Sequence, residues 1–435
     1  MCETSLDDPQ LVFLATGVPS VLACVLNPDG AVEVQQTVSV EPAGVAVGWL
    51  TAHPSGKWLY VLISHQDQPG ELRTFGVHET GCRQLAGAVV PSGGHQPCHA
   101  VIHRGHWLAV AHHSGDISIF NVRGGLPIAA GVVTLRCCKD GVDSSRVPSD
   151  GQWAHMAHGL AFSPSSRHLL AADAAQGVIV SMEFDFSTGA LGSPVVHPTV
   201  VVPASDAMDA SVGQVIAQLA LGPRPRHIAF SEAGCSLMYL QESSEMLMVH
   251  HFDSDTGKVR PAYQAISTRA AGAPVVGNRG LSHCLRCVLS PSLVRWHADL
   301  AFSVAMRAGM STASAIAVHT TSGVVLVSHR HLGGGRSWLV ALRAFADPLF
   351  LPISRGVSAA QRYSRGPTVE LGTNARHMVL DPQQRRLLVS VEGGLAVFTV
   401  SPTGELSHLA TSGLPQEGGG AVTVGCVAVV GAGGG

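Results

Sequence analysis

The sequence has few charged residues and no long apolar run. Asp, Glu, Lys and Arg make up 13% of the 435 residues, about half of the roughly 25% that is usual in soluble proteins. The net charge of −3 argues against a protein that binds nucleic acid or a membrane surface through bulk charge. No run of about 18 apolar residues occurs, so we predict no membrane-spanning helix.

We also expect neither a secretory signal nor a metal site. The first ten residues lack a basic start and an apolar core, so we expect a cytoplasmic protein whose ten cysteines are reduced thiols. Cys284 and Cys287 form one CxxC pair with no second pair at zinc-finger spacing, and His329 and His331 have no evident third ligand. We therefore expect no metal and no other cofactor.

Glycine and proline are abundant instead, with 49 and 25 residues, which argues against a bundle of long helices. A repeat explains them: a polar turn is followed by a strand rich in Leu and Val. It recurs at residues 53–61, 103–110, 163–170, 231–238, 319–326 and 381–388. A short apolar strand precedes most of these turns and an alternating strand follows the Leu/Val strand, which is the pattern of consecutive antiparallel strands.

Each repeat predicts three or four antiparallel strands, the content of one propeller blade. With residues 12–38 as a seventh unit, we predict an all-β protein, a single seven-bladed β-propeller over residues 1–435, with a final strand near the C-terminus. Each blade then has about 62 residues, more than a typical blade of roughly 40–45. Long insertions near 132–152, 191–217 and 264–312 hold the surplus, and the last could be a lid, a partner surface or a translated intron.

In a propeller, the residues that begin each innermost strand project into one shared pocket. Polar residues occupy this position before several short apolar strands, and others directly follow Leu/Val strands. The candidates are His99, His158, Arg226, His227 and Arg376 before short strands, and Asp173, Glu242 and Arg330 after Leu/Val strands. Each has a structural alternative: single histidines could be hydrogen-bonded in the fold, Glu242 could pair with Arg226 only for stability, and Asp173 could accept backbone N–H groups in a turn.

In order and register these segments resemble the seven-bladed lactonase family, which includes the bacterial type of 6-phosphogluconolactonase and the fungal 3-carboxy-cis,cis-muconate lactonizing enzyme. The matching segments are residues 53–60, 91–99, 222–230, 241–243, 328–330 and 375–382. The resemblance implies that His158 and Glu242 are catalytic and that Arg226 and Arg330 are cleft arginines. The chain departs from the family pattern at Ser64, His113 and Met156.

The resemblance implies hydrolysis of an anionic sugar lactone, in first place 6-phosphogluconolactone to 6-phosphogluconate in the pentose phosphate pathway of carbohydrate metabolism. Arg226, Arg330 and Arg376 would hold the anion and polarise the lactone carbonyl, and His99 and His227 would add substrate contacts.

His158, expected to titrate near neutrality, would act as general base or acid. Glu242 would orient it or serve as the base. We expect a small-molecule anionic lactone as the partner and a monomeric protein. Two alternatives stay open: a muconate-type cycloisomerase, and a non-catalytic propeller that serves as a binding scaffold, which the departures from the family pattern motivate.

Overall fold

The computed structural model describes residues 8–16, 19–40, 45–135, 153–199, 224–242, 244–268, 311–331, 336–346, 361–414 and 423–430. The central parts of the three predicted insertions, and with them Cys284 and Cys287, lie outside these residues. The insertions are shorter than predicted at their edges, because residues 132–134, 195–198 and 264–267 belong to strands. Among the described residues no helix has the length and apolarity to cross a membrane.

Twenty-eight strands form seven four-stranded antiparallel sheets, the blades, in the described part of the chain. The strands are, in blade 1, β1 (Gln10–Thr16), β2 (Ser20–Leu26), β3 (Val32–Ser39) and β28 (Val424–Val429); in blade 2, β4 (Ala46–Ala52), β5 (Trp58–Ser64), β6 (Glu71–His78) and β7 (Gly81–Pro91); in blade 3, β8 (Pro97–His103), β9 (Trp107–His112), β10 (Asp116–Asn121) and β11 (Ile128–Thr134); in blade 4, β12 (Ala157–Phe162), β13 (His168–Asp173), β14 (Val178–Glu183) and β15 (Val195–Pro198); in blade 5, β16 (Pro225–Phe230), β17 (Ser236–Gln241), β18 (Met246–Phe252) and β19 (Val259–Ser267); in blade 6, β20 (Ser311–His319), β21 (Val324–His331), β22 (Arg336–Ala346) and β23 (Gln361–Thr373); in blade 7, β24 (Met378–Leu380), β25 (Arg386–Val391), β26 (Gly394–Val400) and β27 (Leu406–Gly413).

The last strand closes the ring. β28 pairs antiparallel with β1, with Phe13 opposite Ala428, and so becomes the innermost strand of blade 1. The innermost strands of successive blades pack against one another around the whole ring, and β24 meets β28 at the closure. This arrangement confirms the predicted seven-bladed β-propeller and the predicted C-terminal strand, and joining both chain ends in one blade protects the inner edge of that sheet.

Burial along the strands explains the low charge of the sequence. All residues of β9 and β25 are buried, because these strands are covered by neighbouring blades on both faces. Outer strands have one solvated face, and after the buried Val32 the strand β3 alternates between exposed and half-buried positions. Burial of apolar surface stabilises the folded state by roughly 25 cal/mol per Å2. Most positions of the inner and middle strands therefore favour Val, Leu and Ala.

Candidate functional site

A β-bulge directs one residue from the innermost strand of most blades toward the central channel. In β4, β8 and β20 the pairing skips one residue, which is Gly48, Cys98 and Ser314 respectively. Gly425 is skipped in the same way where β28 pairs with β1. A bulge re-aims the side chain of the extra residue. Because the same bulge recurs around the channel axis, it brings together residues that are far apart in the sequence.

Blades 4, 5 and 7 have the predicted site residues at this position. The register shifts across His158 in β12 and across Arg226 in β16, and Arg376 has the equivalent position before β24. We call the set the bulge ring. In blade order it consists of Gly425, Gly48, Cys98, His158, Arg226, Ser314 and Arg376.

Close approach between blades explains why glycine follows His158. A Cβ on Gly159 would lie 2.2 Å from the backbone oxygen of Arg226, well inside van der Waals contact. The same distance separates a Cβ built on Gly48 from the oxygen of Pro97. These glycines allow adjacent bulges to touch, which brings His158 and Arg226 to neighbouring positions of one wall.

All residues of the bulge ring except Ser314 line a cavity of about 690 Å3 at the channel mouth. The lining combines residues predicted from the sequence with others. The predicted residues that line it are His158, Arg226, His227, Glu242, Arg330 and Arg376. His99 is not among the described residues that line the cavity. A cavity of this size suits a ligand of one or two rings.

Glu242 is the centre of a cluster of arginines. It follows β17, and its Oε1 accepts hydrogen bonds from Nη1 of Arg226 at 2.7 Å and from Nη2 of Arg330 at 2.8 Å. Nε of Arg224 lies 3.7 Å from Oε2. The structural alternative for Glu242, an ion pair with Arg226, is thus present in the fold. The pair also lines the cavity, so stabilisation and ligand binding are compatible here.

The arginines keep Glu242 ionised. Burial alone would raise the pKa of this carboxyl, but the positive charges of Arg226, Arg330 and Arg224 outweigh burial and lower it to about 2. Burial and the neighbouring Arg226 lower the pKa of Arg330 to about 10, so this guanidinium stays charged at neutral pH. Three guanidinium groups thus surround one carboxylate, and Arg376 lines the same cavity, so the described lining has an excess of positive charge.

His158 is a neutral imidazole in this environment. Its ring centroid lies 5.7 Å from that of His113 and 5.8 Å from that of His227, and its Nδ1 is buried without a hydrogen-bond partner in the described part of the chain. Burial, and next the charge of Arg226, lower the pKa of His158 well below 6.5. The expectation that His158 titrates near neutrality is therefore wrong for the ligand-free protein.

An aromatic layer of Trp49, His99, His227 and His377 packs at the channel axis. Trp49 lies 4.5 Å from His99 and 4.6 Å from His377 between ring centroids, and His99 lies 5.6 Å from His227. Two of these rings tie adjacent blades together: Nδ1 of His99 accepts the N–H of Leu160, at 3.3 Å, and Nδ1 of His377 accepts the N–H of Val427, at 3.1 Å. In each ring the Nδ1 lone pair accepts a hydrogen bond, which protonation of that nitrogen would break, so the neutral form is favoured.

Acidic solution is therefore expected to lower the stability of the propeller. Burial is the main cause that lowers the pKa of His99 to about 4 and of His377 to about 3, whereas both rings take up protons near 6.5 in the unfolded chain. Between these folded and unfolded pKa values, the unfolded chain binds more protons than the folded protein. The contribution of the two neutral rings to stability is therefore complete above about pH 6.5 and falls as the pH is lowered toward 4 and 3. The thermal unfolding midpoint should decrease between pH 7 and 4.5.

A matched pair of variants assigns this effect. His99→Gln should flatten the dependence of the unfolding midpoint on pH, because a titrating ring is gone. His78→Gln, at an exposed position, should leave the slope as it is. A midpoint that stays constant from pH 7 to 4.5 in the unmodified protein contradicts the assignment of neutral buried histidines.

Other candidate residues have structural roles. Oδ1 of Asp173 accepts the N–H groups of Met156, Ala175 and Gln176 at 3.0 to 3.1 Å, which confirms the interpretation of Asp173 as a turn acceptor. His329 is buried beside Glu245, with 3.2 Å between Nδ1 and Oε1. Within the described residues no three His, Cys, Asp or Glu side chains are grouped so that they could hold a metal ion.

Sequence reasoning missed Arg224 and Trp49. Arg224 immediately precedes β16 and has a φ of +40°, and Gln96 before β8 has a φ of +50°. Such left-handed conformations are uncommon outside glycine and mark positions held by their surroundings. Arg224 could have been found from the sequence, because it is a charged residue directly before the innermost strand of its blade. Trp49 could not, because it is apolar and the candidates were polar residues.

Comparison with known proteins agrees with this architecture. Residues 27–207 match the model of the family described as "Lactonase, 7-bladed beta-propeller", which confirms the resemblance seen in the sequence. A search of curated proteins finds no significant match.

Several solved structures share the fold. A candidate 6-phosphogluconolactonase of Bacteroides fragilis is 13% identical, with a TM-score of 0.65 over 99% of this chain and 100% of that chain. One of Bacteroides uniformis is 16% identical, with a TM-score of 0.62 over 97% and 100%. The periplasmic gluconolactonase of Pseudomonas aeruginosa is 16% identical, with a TM-score of 0.64 over 98% and 99%. At these identities the likeness concerns the fold alone.

Proposed function

We propose that this seven-bladed propeller, which resembles the lactonase family, hydrolyses an anionic sugar lactone, with 6-phosphogluconolactone as the first candidate substrate. The observation that carries the proposal is the convergence of four arginines on one cavity, in which Glu242 is the single carboxylate among the described lining residues. The arginines are Arg224, Arg226, Arg330 and Arg376. Their excess of positive charge suits an anion. A cytoplasmic monomer that supplies the pentose phosphate pathway is part of the same proposal.

The arginines supply the electrostatic part of the reaction. During attack on a lactone, negative charge develops on the carbonyl oxygen, and guanidinium groups that are already oriented stabilise it. Arg226 and Arg330 are oriented by their hydrogen bonds to Glu242. Glu242 has a pKa of about 2, so it is a weak base, and we assign it the role of holding these two arginines in place.

His158 supplies the proton transfer. In the free protein, burial and cations hold its pKa low. A bound anion offsets the charge of the arginines and raises that pKa, so the imidazole becomes a better base when substrate is present. It accepts a proton from water, the hydroxyl adds to the carbonyl carbon, the bond to the ring oxygen breaks, and the proton passes to that oxygen. The product is the open hydroxy acid.

The test is hydrolysis of freshly made 6-phosphogluconolactone, corrected for its spontaneous opening. The unmodified protein should accelerate opening, and Arg226→Ala should lower kcat/KM by about 10²-fold, since one charge-stabilising donor contributes roughly this much. Arg343→Ala, at an exposed position, is the control and should behave like the unmodified protein. No acceleration by the unmodified protein, or equal rates for both variants, contradicts the proposal.

A second candidate is a propeller that binds anions without turnover. It is favoured by the ionisation states of the free cavity, because neither Glu242 nor His158 has a pKa near neutrality. This candidate predicts that 6-phosphogluconate binds in calorimetry while no lactone, including a muconate-type lactone, is turned over.

A further inference from the structure

Two adjacent histidines at the end of β9 differ in their hydrogen bonds. His112 is buried and uses both ring nitrogens, since Nδ1 donates to the backbone oxygen of Asp116 and Nε2 accepts the hydroxyl of Ser92, each at 3.0 Å. His113 is half-buried, lines the cavity, and has its Nδ1 3.2 Å from Oε1 of Gln96. Its Nε2 makes no hydrogen bond within the described residues. His112 is therefore structural, whereas His113 keeps one ring nitrogen free for a ligand.

Gln96 determines which nitrogen of His113 carries the proton. An amide oxygen only accepts hydrogen bonds, so Nδ1 is the protonated nitrogen of the neutral ring and the lone pair is at Nε2. The two residues are joined a second time, because the N–H of His113 donates to the backbone oxygen of Gln96 at 3.1 Å. Gln96 has a φ of +50°, which is uncommon outside glycine and marks a position held by its surroundings. The imidazole is therefore fixed with its basic nitrogen unoccupied.

Close contact between blades 3 and 4 brings His113 next to His158. The turn after β9 includes Gly115, where a Cβ would lie 2.7 Å from Cβ of His155. His155 is itself anchored, since its Nδ1 lies 2.7 Å from Oδ2 of the buried Asp173. The ring centroids of His113 and His158 are 5.7 Å apart, and both residues line the cavity. One ligand can therefore contact both imidazoles.

The charges around His113 make its protonation depend on a bound anion. Burial, and next the charges of Arg226 and Arg224 at the start of blade 5, lower the pKa of His113 to about 4. The adjacent His112 also lowers this pKa, and Glu242 raises it. An anion held by the two arginines offsets their charge and raises the pKa of the imidazole. His113 is therefore expected to take up a proton when an anion occupies the cavity.

Hydrogen bonding decides which of the two imidazoles holds a proton more readily. A protonated imidazole has two N–H donors. In protonated His113, Nδ1–H stays bonded to Gln96 and Nε2–H is left for the ligand. In protonated His158, Nδ1–H would be buried without an acceptor among the described residues, which costs free energy. When two titratable groups share a site, the one that holds its proton acts as the acid and the other as the base.

We propose that His113 is the general acid of the cavity, which protonates the ring oxygen of the lactone, while His158 is the base toward water. This inference rests on the proposed lactonase function and divides its proton transfers between two residues. His113 departs from the family pattern, so its role comes from its contacts in this chain.

The two proton transfers balance over one turnover. His158 accepts a proton from water as the hydroxyl adds to the carbonyl carbon. The bond from that carbon to the ring oxygen then breaks, and Nε2 of protonated His113 gives its proton to the ring oxygen. The proton on His158 passes to His113 through solvent. One water is consumed, the product is the open hydroxy acid, and both imidazoles are restored.

The kinetic experiment measures kcat for 6-phosphogluconolactone against pH, corrected for spontaneous opening. Glutamine at position 113 stays polar but cannot act as an acid, so His113→Gln should lower kcat by about 10²-fold, within the range for one general acid. In the unmodified protein kcat should decline at alkaline pH, where His113 in the complex loses its proton, and His113→Gln should lack this limb. His78→Gln, at an exposed position, should keep both rate and limb. An unchanged kcat, or the same alkaline limb in His113→Gln, overturns the assignment.

A titration of His113 by proton NMR does not depend on turnover. The imidazole resonance of His113 is identified by its loss in His113→Gln and its shift in Gln96→Leu, and is followed against pH with and without sulfate. Sulfate should raise the pKa of His113 from about 4 toward neutrality. If this pKa rises while the unmodified protein hydrolyses no lactone, the lactonase proposal fails and the anion-dependent proton site at His113 is supported. A pKa that sulfate leaves unchanged overturns the inference, whether or not a lactone is hydrolysed.

Discussion

Replacing Glu242 with glutamine is expected to destabilise the propeller by about 3–5 kcal/mol, the usual cost of removing one member of a buried ion pair. The carboxylate is 7% exposed and neutralises Arg226 and Arg330 directly. Glutamine keeps the shape but removes the charge, so the guanidinium groups are left desolvated and mutually repulsive. The denaturant midpoint of unfolding should fall accordingly, and lactone hydrolysis should fall with it because the arginines lose their orientation.

Phosphate provides the internal check. An anion that binds in place of the lost carboxylate should raise the unfolding midpoint of Glu242→Gln more than that of the unmodified protein, since ligand that binds only the folded state stabilises it. Glu405→Gln is the matched control, because Glu405 pairs with Arg343 at an exposed position, where ion pairs add little. If Glu242→Gln unfolds at the same midpoint as Glu405→Gln, the cluster does not stabilise the fold as argued.

Alanine at His158 is expected to lower kcat for lactone hydrolysis by about 10³-fold, within the range for loss of a general base. Stability should change little by comparison, because Nδ1 of His158 makes no hydrogen bond within the described residues. His78→Ala, at an exposed position, controls for the loss of any imidazole. A kcat within a few-fold of the unmodified value would remove His158 from the mechanism.

The pH profile separates a base from a binding residue. The free protein holds the pKa of His158 well below 6.5, so kcat/KM should decline only in clearly acidic solution. In the complex, the substrate anion offsets the arginines and raises this pKa, so the acid limb of kcat should lie at higher pH than that of kcat/KM. Coincident limbs would contradict the coupling between anion binding and His158.

Much of the architecture could be read from local patterns. Period-two apolar alternation with Gly-rich turns specifies strands and hairpins, and repetition specifies blades. The register of the repeat also predicts which positions reach the channel, and His158, Arg226 and Arg376 share that register. In blade 3 that register belongs to Cys98, and His99 is one residue further along the strand. His99 lies outside the cavity lining, because its ring turns to Trp49 and accepts the N–H of Leu160.

Ionisation and pairing required the tertiary structure. Sequence alone determined a seven-bladed propeller with scarce charges concentrated at equivalent positions, because strand pattern and turn chemistry depend on neighbours along the chain. Whether Glu242 acts as a base or holds arginines in place, and whether His158 is charged, depend on distance through space and on burial. Charge interactions and desolvation are set by the surroundings of each group. Only the closed ring, which brings Arg226, Glu242 and Arg330 from two blades into contact, decided those points.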